Sequence, residues 1–353
     1  MSGTYTLYTM QNSPYSDKIR ALLRYKRLPF DERIENGETR FTVLQARTGK
    51  TMVPVVITPD DRAINDSTTI AAHLEEAAPT PPTRWKQPVV DCLAMLLEDY
   101  ADEWLVRIML SSRWYHPADA AQNAAIIAAN MTHGVYGLDF QTAARDFPPS
   151  IIATLPKMGA TPENAETWYA TFPRILDALD HALARSLFIT GASPHQCDFA
   201  FYGQLNQIRR DPTGHDWINR GPERVREWMQ RLEAACAGEE PVVSPLSDVT
   251  SLEPLLRQMA GTYLRMQVAN ALAVEAGATL VEAELVDGLS FRAAPARYNA
   301  KLLGNNLDLL DRVFAAGTEF PDVLFAPLRS ELSSLRDAGS PLVTNRASLH
   351  AHL

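Results

Sequence analysis

The chain has 353 residues, of which 46% are hydrophobic and 21% charged, which are ordinary proportions for a globular protein that buries a sizeable core. At roughly 100–200 residues per domain, this length predicts two or three domains. The net charge of −9 and the acidic pairs Glu98-Asp99 and Asp102-Glu103 would repel phosphates, so we expect no nucleic-acid partner.

Cysteine content and hydropathy argue against a disulfide-rich, metal-binding or membrane protein. The three cysteines lie far apart and form no C-x-x-C or Cys/His cluster, which predicts reduced thiols, no disulfide framework and no metal: Cys92, Cys197 and Cys236. No apolar run approaches the roughly 20 residues that cross a bilayer, so no membrane partner is expected. The N-terminus lacks the pattern of a signal peptide, and a cytoplasmic location is expected.

The first 80 residues alternate strand and helix patterns. The predicted elements are a strand at 5–8, a helix that Ser13-Pro14 opens, a strand at 30–34, a helix at 39–47, strands at 52–57 and 63–64, and a helix that 65–67 caps. This β-α-β-α-β-β-α order is typical of a thioredoxin-like sheet, with a ferredoxin-like unit as the alternative. The prolines of 79–83 predict a linker after this unit.

Beyond the linker, helical patterns dominate. Helices are predicted at 93–115, 120–131, 168–184, 225–235, 252–273 and 296–314, and a β-hairpin at 280–291. Ser193 followed by Gln196 predicts a capping box that opens another helix, which carries Phe199, Tyr202 and Leu205. The predicted domains are therefore 1–79, 84–240 and a C-terminal extension at 241–353.

Three features of the first domain predict chemistry. Ser13 lies at a strand-to-helix turn, where a hydroxyl beside a helix N-terminus can donate to an anion; a simple N-cap is the alternative. Val53-Pro54 opens an internal strand, and a cis peptide there would present the backbone of Val53 to a ligand; an edge strand is the alternative. Asp66-Ser67 opens a helix that could take an amino-acid head group, or could simply be capped.

Together these motifs resemble the N-terminal domain of cytosolic glutathione transferases, most closely the serine-type classes such as tau. The segment 197–203 resembles a helix of the family's C-terminal domains, and the resemblance extends over roughly 4–235. It implies a thioredoxin-like α/β domain followed by an all-α domain. The last hundred or so residues exceed the usual family length; their pattern predicts a mainly helical segment with a β-hairpin, which loosely resembles the C-terminal parts of long bacterial members.

The resemblance also implies a role for each motif. Ser13 would stabilise the glutathione thiolate, and Val53, before the cis-proline Pro54, would pair with the cysteinyl part of glutathione. Asp66 and Ser67 would hold the γ-glutamyl group. Lys50 would take the glycyl carboxylate, with an ordinary exposed lysine as the alternative. Glutathione is therefore the expected co-substrate, and no metal is expected.

The second substrate is expected to be a small hydrophobic electrophile. The residues expected to line its pocket come from the loop after the first strand and from the first long helix: Met10, Asn12, Tyr100, Trp104 and Trp114. An aromatic stripe on a helix is also typical of a core, and this alternative stays open.

The resemblance implies a homodimeric detoxification enzyme that catalyses conjugation, ether cleavage, dehalogenation or isomerisation. A thiol–disulfide oxidoreductase would need a cysteine at position 13 or 16, where this chain has serine. A non-catalytic glutathione-fold protein used for binding or assembly is the remaining alternative.

Overall fold

The computed structural model describes residues 3–353, and its N-terminal part is a four-stranded sheet flanked by helices. The elements are β1 (Tyr5–Thr9), α1 (Pro14–Tyr25), β2 (Phe30–Ile34), a π-helical turn (Arg40–Gln45) that continues into α2 (Ala46–Thr48), β3 (Val55–Ile57), β4 (Ala63–Asn65) and α3 (Ser67–Ala77). The strand order is β2-β1-β3-β4, with β1 parallel to β2 and antiparallel to β3. The predicted thioredoxin-like unit is confirmed.

Capping and amphipathicity explain the position of α1. Ser13 is its N-cap, with the Ser13 Oγ accepting a hydrogen bond from the Ser16 backbone N–H at 3.2 Å, and Pro14 occupies the first turn. The stripe of Ile19, Leu22 and Leu23 is fully buried against the sheet and the neighbouring helices. The N-cap therefore fixes where the chain turns from strand to helix.

The middle of the chain is helical, as predicted. Its helices are α4 (Pro88–Tyr100), a π-helical turn (Ala101–Leu105), α5 (Val106–Tyr115), α6 (Pro117–Thr132), α7 (Phe140–Ile152), α8 (Ala165–Leu183), α9 (Gln196–Arg210), α10 (Pro212–Arg220) and α11 (Glu223–Ala237). The run from α4 to α5 is continuous and includes the helix predicted at 93–115. The sequence did not predict α7, because Pro148 and Pro149 lie inside it and interrupt a helical pattern.

The predicted capping box at Ser193 is wrong. Helix α9 begins at Gln196 and its N-cap is His195, whose Nδ1 accepts from the Cys197 N–H at 3.5 Å. The box closes through Asp198, whose Oδ2 accepts from the His195 N–H at 2.9 Å. Asp198 outcompetes Gln196 because a carboxylate three residues after the N-cap satisfies that backbone donor directly.

The C-terminal segment is helical apart from one hairpin. It comprises a 3₁₀ turn (Val249–Leu252), α12 (Glu253–Met259), a π-helical turn (Ala260–Leu264), α13 (Arg265–Glu275), β5 (Val281–Glu284), β6 (Ser290–Ala293), α14 (Arg297–Ala315), α15 (Asp322–Asp337), α16 (Pro341–Thr344) and α17 (Ala347–His350). The hairpin is confirmed: β5 and β6 are antiparallel, and its turn places Asp287 and Gly288 at positive φ, where Asp and Gly are tolerated.

This segment packs directly onto α4. The apolar core is continuous across both, with Leu96 of α4 beside Tyr263, Leu303 and Leu307. At the same contact, the Tyr263 hydroxyl and the Asn306 amide each donate to Asp99 Oδ2 at 2.6 Å. None of the helices within residues 3–353 combines the length and apolar character needed to cross a membrane.

Candidate functional site

Sheet topology brings the three predicted motifs to one edge. Tyr8 of β1 is in register with Val55 of β3, and Val55 is in register with Asn65 of β4. Because β3 is antiparallel to both neighbours, the end of β1, the start of β3 and the end of β4 meet there. The loop to Ser13, the Val53-Pro54 peptide and the Asp66-Ser67 turn therefore lie next to one another.

Ser13 presents a hydroxyl at the N-terminus of α1. Its side chain is largely buried, and its Oγ accepts from Ser16 N–H while no acceptor for its own proton occurs among residues 3–353. Ser16 turns back to the loop, where its Oγ accepts from the Met10 N–H at 3.3 Å. The Ser13 proton is thus available to an anion that also experiences the helix dipole.

Val53 offers backbone groups beside this hydroxyl. The Val53-Pro54 peptide is cis, as the ligand-binding interpretation requires. Within the described part of the chain, neither the N–H nor the C=O of Val53 has a backbone partner. Free backbone groups at a strand start can pair with the backbone of an extended, peptide-like ligand.

Asp66 and Ser67 form the third part of the site. Asp66 has φ +76°, a left-handed conformation that is unfavourable for a non-glycine residue and that often occurs at functional sites. Its Oδ1 accepts from the Thr69 N–H and hydroxyl at 3.0 and 3.1 Å, and its Oδ2 has no partner among the residues described. The turn therefore combines a free carboxylate oxygen, which suits an ammonium group, with the helix N-terminus of α3, which suits a carboxylate.

Lys50 lies near the same edge with an exposed side chain, and it forms no ion pair with any of residues 3–353. Its ammonium group is free to meet an anion in solution. The structure itself gives no ligand partner for it.

Three of the predicted pocket residues lie in or beside the loop that carries Ser13. The Trp114 side chain is nearly buried in a small apolar cluster with Ile127 and Met131 of α6, and Met10 packs against this cluster. Asn12 is adjacent, and its Nδ2 donates to Asn123 Oδ1 at 3.3 Å. Met10, Asn12 and Trp114 therefore lie together beside the loop that carries Ser13.

Tyr100 and Trp104 do not line a pocket, and that prediction is wrong. Both are 0% exposed in the main core. The Tyr100 ring packs 5.9 Å from that of Tyr263, and the Trp104 ring packs edge-on against Trp168 at 4.9 Å. The C-terminal segment and α8 enclose this part of the long helix, so its aromatic stripe is core.

A buried charge cluster under the site was not predicted. Lys18, which is 1% exposed, donates its Nζ to both Glu98 and Asp102 of the long helix. Burial alone would lower the pKa of Lys18, but the attraction of the two carboxylates outweighs it and raises that pKa. The sequence contains one indication that Lys18 is buried, because Lys18 falls on the same helical face as Tyr15 and Leu22. The cluster ties α1 to α4 and so supports the Ser13 turn.

The arrangement suits an extended ligand with charged ends. It offers an ammonium and carboxylate site at α3, backbone pairing at Val53, and a proton donor at Ser13 beside a small apolar cluster. Among residues 3–353 no group of three or more His, Cys, Asp or Glu side chains could hold a metal ion.

Comparisons with known proteins match two parts of the chain to one family. Residues 7–82 match the model of the glutathione S-transferase N-terminal domain, and residues 151–231 match that of the C-terminal domain. No curated protein matches the sequence significantly.

The crystal structure of the β-etherase LigF from Sphingobium sp. strain SYK-6 is similar, with 17% identity over 66% of this chain and 97% of LigF, and a TM-score of 0.51. A glutathione S-transferase from Methylobacterium radiotolerans, in complex with glutathione sulfonate, has 20% identity over 69% of this chain and 98% of that one, with a TM-score of 0.44.

Proposed function

The chain belongs to the glutathione transferase superfamily, and on this premise we propose that it activates the thiol of glutathione for attack on a small hydrophobic electrophile. The single observation that supports this most is the convergence of Ser13, Val53 and Asp66-Ser67 at one sheet edge, set by the register of Tyr8, Val55 and Asn65.

In this proposal glutathione binds along the edge as an extended tripeptide. Its γ-glutamyl carboxylate accepts from the N-terminal N–H groups of α3 and the Ser67 hydroxyl, and its ammonium group pairs with Asp66. Its cysteinyl backbone pairs with the free N–H and C=O of Val53, and its glycyl carboxylate is close to Lys50. The thiol then lies next to Ser13.

Ser13 is the proposed catalytic residue. Its hydroxyl donates to the thiolate, and the N-terminus of α1 adds a favourable potential. Lowering the thiol pKa by about two units requires about 2.7 kcal/mol of differential stabilisation. A hydrogen bond to a charged group contributes about 1.5–3 kcal/mol and a helix end about 0.3–2 kcal/mol, so the two together reach this value.

The thiol proton passes to solvent, and the thiolate sulfur forms a bond to an electrophilic carbon. The electron pair of the bond that breaks at this carbon leaves with a departing group or moves into the rest of the electrophile. Conjugation, ether cleavage, dehalogenation and isomerisation share this first step. The apolar cluster of Met10 and Trp114 beside Ser13 supports a hydrophobic second substrate.

Turnover and binding test the proposal together. We expect wild type to bind glutathione by calorimetry and to conjugate 1-chloro-2,4-dinitrobenzene, and Ser13→Ala to lose about 10²-fold or more in kcat with little change in glutathione affinity. Ser193→Ala, at a buried serine outside the site, is the matched control and should retain activity. Glutathione binding without turnover on a panel of electrophiles would instead favour the non-catalytic binding protein.

A further inference from the structure

A closed ring of hydrogen bonds holds the loop that carries Ser13. We propose that Arg113, the cation in this ring, is a positioning residue that fixes the Ser13 hydroxyl for its work on the glutathione thiol. The inference rests on the proposed function, because it concerns the same site.

Four residues from four parts of the chain form the ring. Arg113 of α5 donates its Nη1 to the backbone carbonyl of Asn12 at 2.7 Å and its Nε to Asp211 Oδ2 at 2.7 Å. Asn123 of α6 donates to the other carboxylate oxygen, Asp211 Oδ1, at 2.8 Å. Asn12 closes the ring by donating its Nδ2 to Asn123 Oδ1 at 3.3 Å. The residue before Ser13 is thus held through both its backbone and its side chain.

The neighbouring carbonyl of the loop is tied as well. Gln207 of α9 accepts from Arg113 Nη2 through its Oε1 at 3.0 Å, and donates its Nε2 to the Gln11 carbonyl at 3.0 Å. Arg210 donates to the same Gln11 carbonyl at 3.0 Å. Two successive carbonyls immediately before Ser13 therefore have side-chain donors that belong to the helical part of the chain.

Burial makes these contacts specific. Arg113 and Asp211 are each 1% exposed, and Asn123 is fully buried. A buried cation needs both its paired carboxylate and its remaining acceptors, so alternative arrangements of the loop would leave donors of Arg113 unpaired. The loop before Ser13 consequently has one strongly favoured conformation.

The position of the Ser13 hydroxyl is fixed by this loop, which precedes it, and by the N-cap of α1, which follows it. Ser13 N–H donates to the Met10 carbonyl at 3.2 Å, and its Oγ accepts from Ser16 N–H. A donor that stabilises a thiolate must be held to within a fraction of an ångström. Val53, Asp66 and Ser67 take no part in the ring, so loss of Arg113 should affect thiol activation more than glutathione binding.

The test compares Arg113→Met with a matched variant, Arg107→Met. Arg107 is equally buried, donates its Nε to the Met158 carbonyl at 2.9 Å and lies beside the Glu103 carboxylate, but contacts no residue of the loop. In Arg113→Met we expect the thiol pKa of bound glutathione to rise by about one unit and kcat to fall about tenfold, with glutathione affinity changed less than about threefold. In Arg107→Met we expect lower thermal stability with an unchanged thiol pKa.

Asn123→Ala provides a second variant, because Arg113→Met leaves the Asp211 carboxylate buried without its cation and could fail to fold. It opens the ring without removing a charge, and we expect a smaller rise of the thiol pKa together with faster amide hydrogen exchange at Ser13 and Ser16. An unchanged thiol pKa in both ring variants, or an equal rise in Arg107→Met, would overturn the inference.

Glutathione binding by wild type tests the proposed function separately from the role of Arg113. If wild type does not bind glutathione, that function is refuted, and amide exchange then tests only whether the ring fixes the loop before Ser13. Exchange at Ser13 and Ser16 that is faster in Asn123→Ala than in wild type supports this fixing of the loop, and unchanged exchange overturns it.

Discussion

Replacement of Lys18 by Met tests how the helix that begins at Ser13 is held in place. The Lys18 side chain is 1% exposed and pairs with Glu98 and Asp102, whose side chains are 3% and 9% exposed. Methionine fills a similar volume but leaves two buried carboxylates without their cation. Breaking a buried ion pair in this way costs about 3–5 kcal/mol, and we expect a loss of this size in the free energy of unfolding at pH 8.

Urea unfolding followed by circular dichroism measures this loss. We expect a smaller loss near pH 5, because burial raises the pKa of Asp102 and protonation of that carboxylate removes its unpaired charge. The triple variant Lys18→Met, Glu98→Gln, Asp102→Asn should recover most of the stability, since buried ion pairs are often replaceable by neutral groups of similar shape. Lys86→Met, at an exposed lysine, is the control. A loss below about 1 kcal/mol at pH 8 would contradict a role for Lys18 in holding α1, because that is the contribution of an exposed ion pair.

Two further predictions concern the packing around the site. Burial raises the pKa of Asp99 to about 8, so the folded protein keeps a proton there that the unfolded chain loses near pH 3.9. The free energy of unfolding should therefore fall as pH rises from about 4 to about 8. Urea titrations at several pH values should show this slope in wild type relative to Asp99→Asn. Equal slopes would contradict it. Gly203→Ala should destabilise the protein by about 1–3 kcal/mol, because the added Cβ would lie 2.4 Å from the Pro14 carbonyl oxygen. Gly304→Ala is the control, since its Cβ would have ordinary contacts at 3.5 Å or more and the change should be neutral or stabilising. Thermal unfolding of both variants measures the difference.

Local chemistry made part of the site predictable from sequence. Ser13 and Asp66 are N-caps, and capping residues mark helix starts without any knowledge of the rest of the chain. The alternation of strands and helices in the first 80 residues predicted the thioredoxin-like sheet, and the register of β1, β3 and β4 then placed the three turns at one edge. The residues expected to carry the chemistry were therefore identifiable where local pattern and topology agree.

Long-range packing determined what the sequence did not predict. Tyr100 and Trp104 have the helical spacing of a pocket wall, but Tyr263 and Trp168, far away in the chain, cover them. Lys18 looks like an exposed lysine until Glu98 of α4 and Asp102 of the π-helical turn after it supply carboxylates from about 80 residues away. No local sequence pattern pointed to Arg113, because its ring joins four separate segments.

Stabilisation of the glutathione thiolate by Ser13 would be visible in the thiol pKa of bound glutathione, without any second substrate. Ultraviolet difference absorbance of the thiolate, titrated against pH, gives this value for wild type and for Ser13→Ala. We predict that wild type lowers the thiol pKa by about one unit or more relative to free glutathione, and that Ser13→Ala abolishes this shift while glutathione still binds. A thiol pKa that is the same in free glutathione and in the wild-type complex would contradict the account and leave Ser13 as a helix cap only.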